Sequence, residues 1–111
     1  MQYDSTSKLG LHWAAYIEVD SAYIWNPATI EKGIERNNIL GVEAPLWTET
    51  ISTMKDIEYM VFPRMTALSE VAWSGRDKKN WADFQQRLQM QYKRYDLWHV
   101  KYNPKGINKG E

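Results

Sequence analysis

The stretch Ile39-Leu40-Gly41-Val42-Glu43-Ala44-Pro45-Leu46-Trp47-Thr48-Glu49 decides the fold of this 111-residue chain. Its first part, Ile39 to Ala44, has apolar residues on both faces and predicts a short strand of the kind that is buried in parallel α/β sheets. In an extended backbone, residues two apart point to the same side. Trp47 and Glu49 should therefore face one place, where a ring and a carboxylate suit the C–H face and the hydroxyls of a pyranose.

Composition excludes several classes of function. The 14 basic and 14 acidic residues cancel without forming a basic stripe, so a nucleic-acid partner is not expected. Cysteine is absent, which excludes disulfides and thiolate metal sites, and His12 and His99 lack metal-ligand spacing. We expect no metal and no cofactor. No apolar run is long enough to span a bilayer and the N-terminus does not read as a signal peptide, so we expect no membrane partner, and the localisation stays open.

Local signals predict helices in the second half of the chain. Ser52 or Thr53 begins the first, with Asp56 completing a box-like cap. Apolar residues at helical spacing continue to Gly75, a residue type typical of the position just after a helix. Pro63 falls inside this run and should kink it or divide it into two helices.

A further helix is predicted from Asn80, with Asp83 in its first turn. Its apolar face is formed by Phe84, Leu88, Tyr92 and Tyr95. Asn26 and Pro27 also suggest a cap and a first turn, which predicts a helix over residues 28–35. The strand at 39–44 has no convincing partner among these elements, although a buried strand needs neighbours. The chain therefore reads as part of a larger α/β domain.

Several blocks of this sequence resemble the C-terminal end of the catalytic domain of family 20 glycoside hydrolases, the bacterial-type β-N-acetylhexosaminidases. The blocks cover most of the chain and are Leu9-Gly10-Leu11-His12-Trp13, Tyr23-Ile24-Trp25-Asn26-Pro27, the stretch Gly41 to Glu49, Tyr59-Met60-Val61-Phe62-Pro63-Arg64 with its continuation to Ser74, and the helix Trp81 to Tyr95.

The resemblance implies a parent fold, the (β/α)8 or TIM barrel, of which this chain would be a mostly helical C-terminal fragment. Residues 39–44 would be the eighth strand and residues 53–73 the eighth helix, while residues 9–27 would belong to the loop after strand seven. Residues 1–103 would form the fragment and residues 104–111 a polar tail. Active sites of such barrels lie at the C-terminal ends of the strands.

The resemblance also implies a chemistry that this chain cannot complete. In the family the acetamido oxygen of the substrate attacks the anomeric carbon in a retaining, substrate-assisted hydrolysis, and an adjacent Asp-Glu pair supplies the acid/base and its orienting partner. The chain contains no Asp-Glu dipeptide. We therefore assign no catalytic residue and expect the chain alone to be inactive, although its parent family is a glycosidase.

Three residues match the family's sugar-binding positions in the −1 subsite. On the resemblance, Trp47 packs against the acetamide methyl, Glu49 accepts hydrogen bonds from the 4- and 6-hydroxyls, and Trp13 lines the same subsite. The plainer alternative for Trp47 and Glu49 is a core tryptophan beside an exposed glutamate. The natural partner would be a glycan that contains N-acetylhexosamine.

Other polar and aromatic residues are interpreted as structural. Glu43 is expected to be a buried hydrogen-bond acceptor, and Arg64 and Glu70 are expected to join networks that hold their helix to the barrel. The remaining tryptophans considered are core or docking residues by default: Trp25, Trp73, Trp81 and Trp98.

Two alternatives belong to other functional classes. The chain could act as an interaction module that associates with itself or with the missing part of a barrel through its unpaired strand and apolar helix faces. It could also be a weak carbohydrate-binding module that uses Trp13, Trp47 and Glu49 without catalysis.

Overall fold

A computed structural model describes residues 1–107 of the chain. In that part, four α-helices form: α1 (Val19–Ile24), α2 (Met54–Val61), α3 (Arg64–Trp73) and α4 (Trp81–Leu97). Short 3-10 turns lie at His12–Ala14, Pro27–Thr29, Arg36–Asn38, Arg76–Lys78 and Pro104–Ile107. The last of these turns falls within the predicted polar tail, whose residues 108–111 lie outside the described part.

The helices α2 and α3 confirm the predicted start and division. The Thr53 hydroxyl accepts from the Asp56 N–H at 3.2 Å, and the Asp56 carboxylate accepts from the Thr53 N–H at 2.9 Å. This reciprocal pair satisfies donors that a helix start leaves free. The first helix ends at Val61 and the second begins after Pro63. Gly75 differs from expectation, because its φ of −60° is not the left-handed conformation for which a glycine is needed there.

The helix α4 also has the predicted cap and the predicted apolar face. The Asn80 side chain accepts from the Asp83 N–H at 3.0 Å, and the four predicted apolar positions are all buried. Tyr23 of α1 packs on this face, with its ring centroid 4.4 Å from that of Phe84. The core is correspondingly rich in aromatic rings: its buried members are Tyr3, Val19, Tyr23, Met60, Ala67, Phe84, Leu88, Tyr92 and Tyr95.

The predicted strand over residues 39–44 is wrong for the chain as it folds here. Residues 39–48 have no assigned secondary structure, and Leu40 is fully exposed. A strand is defined by pairing, and among residues 1–107 the β pairing consists of one isolated parallel bridge between Gln2 and Tyr16. The sequence pattern is that of a buried strand, but the neighbours that would bury it are not in the described chain.

The predicted helix over residues 28–35 is also wrong. Asn26 caps only a 3-10 turn, Pro27–Thr29, and residues 29–38 are exposed. With no surface to pack against, this segment has no apolar contact to offset the entropy of helix formation. The helix α1 just before it was not predicted as a helix from the sequence, and its burial of Val19 and Tyr23 depends on tertiary packing.

The junction between α2 and α3 is stabilised by Arg64. Its guanidinium donates to the carbonyls of Met60 and Ile17, at 3.1 and 3.3 Å, and lies 3.9 Å from the centroid of the Tyr3 ring. The Tyr3 hydroxyl is within 3.2 Å of the Met60 carbonyl and 3.0 Å of the Phe62 carbonyl. Burial raises the pKa of Tyr3 to about 12, against the lowering effect of the nearby Arg64 charge. These contacts join the N-terminal segment to the helices.

We expect Arg64→Lys to lower the free energy of unfolding by roughly 1–3 kcal/mol, because an ammonium group cannot reproduce the planar fork of donors or its stacking on Tyr3. Urea unfolding followed by circular dichroism measures the change. The matched control is Arg76→Lys at an exposed position, where a change within about 0.5 kcal/mol is expected. Equal effects at the two positions would contradict the assigned role of Arg64.

Candidate functional site

Trp47 and Glu49 lie on a turn whose two ends are packed on the core. Leu46 and Ile51 contact the core cluster, whereas Trp47 is 74% exposed and Glu49 is also exposed. The Ile51 N–H donates to the Thr48 carbonyl at 3.1 Å, which closes a turn over residues 48–51. The flanking apolar residues thus fix the turn, while the ring of Trp47 and the carboxylate of Glu49 stay accessible to solvent.

Trp47 and Glu49 are not related by strand alternation, contrary to the prediction from sequence. Same-side orientation of residues two apart holds in a continuous extended backbone. Here the turn begins at Thr48, so Glu49 occupies its second position and strand alternation does not apply to it. Any joint action of the two residues depends on the turn and on neighbouring segments.

Trp13 lies on a second loop, which contacts this turn. It belongs to the 3-10 turn His12–Ala14 and is 76% exposed. The Gly10 N–H donates to the Thr50 Oγ1 at 2.7 Å, a direct hydrogen bond between the two segments. All three predicted sugar-binding residues therefore lie on two joined loops and have accessible side chains, and Trp47 is not a core residue in this chain.

A cavity of about 310 Å³ lies elsewhere, between α3 and α4. Its lining includes none of the three predicted residues. The Arg87 guanidinium there makes two bonds with the Glu70 carboxylate, at 2.5 and 2.6 Å, and a third with Asp83 at 2.8 Å. The predicted hydrogen-bond networks of Arg64 and Glu70 are thus confirmed, while their contact with a barrel stays a prediction. Arg87 and Glu70 are thus paired within the cavity, and Arg94, which also lines it, donates to the Gln91 side chain at 3.1 Å.

The prediction that Glu43 is a buried hydrogen-bond acceptor is wrong, because this residue is exposed. The physical reason is that no described segment packs around Glu43 closely enough to bury it. Two of the tryptophans expected in the core or at a docking surface are also exposed, Trp73 at 93% and Trp98 at 61%. Trp81 does pack on the core, 5.5 Å from the Tyr23 ring.

Residues that hold the two loops were not singled out from sequence. Gln2 is 7% exposed and its Nε2 donates to the Ser7 and Gly10 carbonyls at 2.9 and 3.1 Å. Nothing in the local sequence marks a glutamine for this role. Gly10 did carry a signal, as part of a motif, and its φ of 83° shows why glycine is suited to this position.

Residues 1–107 contain neither a metal-ligand cluster nor a membrane-spanning helix. In this part of the chain, no group of three or more His, Cys, Asp or Glu residues could hold a metal ion. Nor is any helix of the described residues long and apolar enough to cross a membrane.

Comparison with known proteins shows the family of this chain. Residues 1–76 match the catalytic domain of glycosyl hydrolase family 20. The chain belongs to this family. A β-N-acetylhexosaminidase of Cellulomonas fimi is 39% identical over 104 residues, which are 90% of this chain and 21% of that protein.

Solved structures of the family share the fold of the chain. A mutant β-hexosaminidase of Streptomyces plicatus, in complex with its product GlcNAc, matches with a TM-score of 0.88 and 36% identity over 94% of this chain and 21% of its own. The exo-β-N-acetylglucosaminidase of Vibrio harveyi in complex with N-acetylglucosamine matches with a TM-score of 0.76 and 31% identity over 85% of this chain and 15% of its own. The mostly helical chain thus matches a portion of these barrel enzymes and spans about a fifth of the length of the Cellulomonas and Streptomyces proteins.

Proposed function

We propose that this family 20 chain contributes part of the −1 subsite of a β-N-acetylhexosaminidase. In this proposal Trp47 and Trp13 offer aromatic surface to an N-acetylhexosamine, and Glu49 accepts hydrogen bonds from its hydroxyls. The observation that carries the proposal is the turn at 48–51, which leaves Trp47 and Glu49 exposed between two residues that are packed on the core. The N-acetylglucosamine complexes of the Streptomyces and Vibrio relatives support the choice of sugar.

The place of the chain in the whole enzyme forms part of the same proposal. Residues 39–44 would be the last strand of the barrel. Their backbone would form hydrogen bonds with neighbouring strands of that barrel. Trp47 and Glu49 would then follow the C-terminal end of the strand, where TIM-barrel active sites are built. The extended, unpaired backbone at 39–48 and the exposure of Leu40 support this position, because both are explained by missing neighbours.

The chemistry available to these residues is recognition. An indole face suits the C–H surface of a sugar and the methyl of its acetamide group, while a carboxylate accepts hydrogen bonds from hydroxyls. Bond cleavage would require the acid/base pair that the family resemblance predicts and that this chain lacks. In the whole enzyme, we propose, the acetamido oxygen of the substrate attacks the anomeric carbon and other parts of the barrel supply the proton.

We expect the chain to bind N-acetylglucosamine weakly, with a dissociation constant no lower than roughly 1 mM, because one side of a pocket buries little of the ligand. Trp47→Ala should weaken binding at least roughly fivefold and Glu49→Gln roughly three- to tenfold. Saturation-transfer NMR on the acetyl methyl and ring protons of the sugar measures both effects.

The matched controls for this titration are Trp98→Ala and Glu43→Gln. Both positions are exposed, and neither lies on the loops of the proposed subsite. The assignment would be refuted if the two controls lost saturation transfer as much as the Trp47 and Glu49 variants do. It would also be refuted if saturation transfer were unchanged in all four variants.

Hydrolysis by the isolated chain is expected to be absent. Removal of a positioned acid/base alone costs about 10²- to 10⁴-fold in rate, and here the orienting residue and most of the pocket are missing as well. A chromogenic N-acetylglucosaminide incubated with the purified 111-residue chain provides the assay. Turnover above the no-enzyme rate would overturn this expectation, and its retention by a Glu49→Gln variant with intact fold would show that the catalytic group is not Glu49.

The exposed apolar surface supports a second function, association with a partner that covers it. Large hydrophobic residues are exposed along the chain, including Trp73 at 93% and Leu40 at 104%. The radius of gyration, 14.7 Å, exceeds the roughly 13 Å typical of a compact domain of this length. Such a surface is commonly covered by a second copy or by other protein segments. In this proposal the partner is either another copy of the chain or the remainder of a family 20 barrel.

Self-association should appear as a mass, measured by light scattering, that rises with protein concentration. Leu40→Lys should shift the association toward monomer, because it places a charge in the exposed apolar segment. The control, Asn38→Lys, adds the same charge two residues away at a position that is already polar and exposed. A monomer mass that stays constant across the concentration range would count against this second function.

A further inference from the structure

The loop that contains Trp13 begins and ends at residues with positive φ. Gly10 has a φ of 83° and Ala15 a φ of 78°, and the 3-10 turn His12–Ala14 lies between them. With its ψ of 171°, Ala15 adopts a conformation that is essentially restricted to glycine. A strained backbone of this kind persists only where surrounding contacts hold it. The path of the Trp13 loop is therefore imposed by contacts outside the loop.

Gln2 supplies contacts at both ends of the loop. Its N–H donates to the Ala15 carbonyl at 3.3 Å, and its own carbonyl accepts from the Ile17 N–H at 2.9 Å. Its side-chain Nε2 donates to the Gly10 carbonyl at 3.1 Å. The main chain of this buried residue thus holds the far end of the loop, and its side chain holds the near end.

Thr50 supplies the contact that joins this loop to the turn with Trp47 and Glu49. Its hydroxyl accepts from the Gly10 N–H at 2.7 Å. It directly follows Glu49 in sequence and precedes Ile51, which is packed against the core. A Cβ added at Gly10 would lie 3.1 Å from the Met1 carbonyl oxygen, so the loop approaches the backbone closely on its other side. Gly10 is thus bounded by Met1 and Gln2 on one side and by the Thr50 hydroxyl on the other.

We infer that Thr50 is a positioning residue, whose hydroxyl fixes the loop of Trp13 relative to the turn of Trp47 and Glu49. A change in this one hydrogen bond would alter the separation of the two aromatic side chains without removing either of them. The consequence for sugar recognition rests on the proposed function, whereas the coupling of the two loops does not.

Thr50→Val tests the inference, because it removes the acceptor and keeps the shape, while Thr50→Ser keeps the hydroxyl as the matched control. In ¹⁵N-labelled full chain without sugar, Thr50→Val should shift the indole N–H signal of Trp13, assigned through Trp13→Phe. It should also speed exchange of the Gly10 amide roughly fivefold, as expected for the loss of one hydrogen bond. Thr50→Ser should retain the wild-type values, and the signal of Trp81, which packs against the core, should not move.

An unchanged Trp13 signal in Thr50→Val would overturn the inference. The inference would also be overturned if the Trp81 signal shifted together with that of Trp13 and if Thr50→Ser did not restore the wild-type signals. Such a result would reveal a general structural effect. Thr50→Ala repeats the test without the β-branched side chain. N-acetylglucosamine is then added to each variant, and Thr50→Val should bind more weakly than Thr50→Ser. If the wild-type chain shows no binding of this sugar, the proposed subsite fails, while the sugar-free spectra still decide whether the loops are coupled.

Discussion

The carbonyl groups at the end of α2 need donors, because Pro63 has no N–H and the helix cannot continue through it. The Arg64 side chain and the Tyr3 hydroxyl both reach the Met60 carbonyl, and the Phe62 carbonyl accepts from the Asn103 N–H at 3.0 Å. These donors come from the N-terminal segment, the start of α3 and the C-terminal segment. One interrupted helix thus brings three parts of the chain together, and the described structure depends on this junction.

The candidate site depends on the same junction through the N-terminal segment. Arg64 also donates to the carbonyls of Met1 and Ile17, at 3.4 and 3.3 Å. These two residues flank the pairing of Gln2 with the end of the Trp13 loop. The guanidinium therefore holds the base on which that loop is built. In this way a residue that touches no proposed ligand position influences where an aromatic side chain of the site lies.

For several sequence-based expectations, the outcome followed the range of the interactions involved. The cap of α2, the division at Pro63 and the buried face of α4 rest on residues close in sequence, and all of them were predicted. The strand at 39–44 and the buried state of Glu43 depend on neighbouring strands, which are not among residues 1–107, and both expectations were wrong for this chain. Trp73 is exposed for the same kind of reason, since no described segment covers it.

The sequence by itself determined the family, three of the four helices and the identity of the candidate residues Trp13, Trp47 and Glu49. Helix caps, proline breaks and apolar periodicity act within a few residues, so they can be read along the chain. Only the tertiary structure decided that the two loops are joined through Gly10 and Thr50. That contact spans 40 residues and depends on a hydroxyl reaching one backbone N–H, which no local pattern encodes.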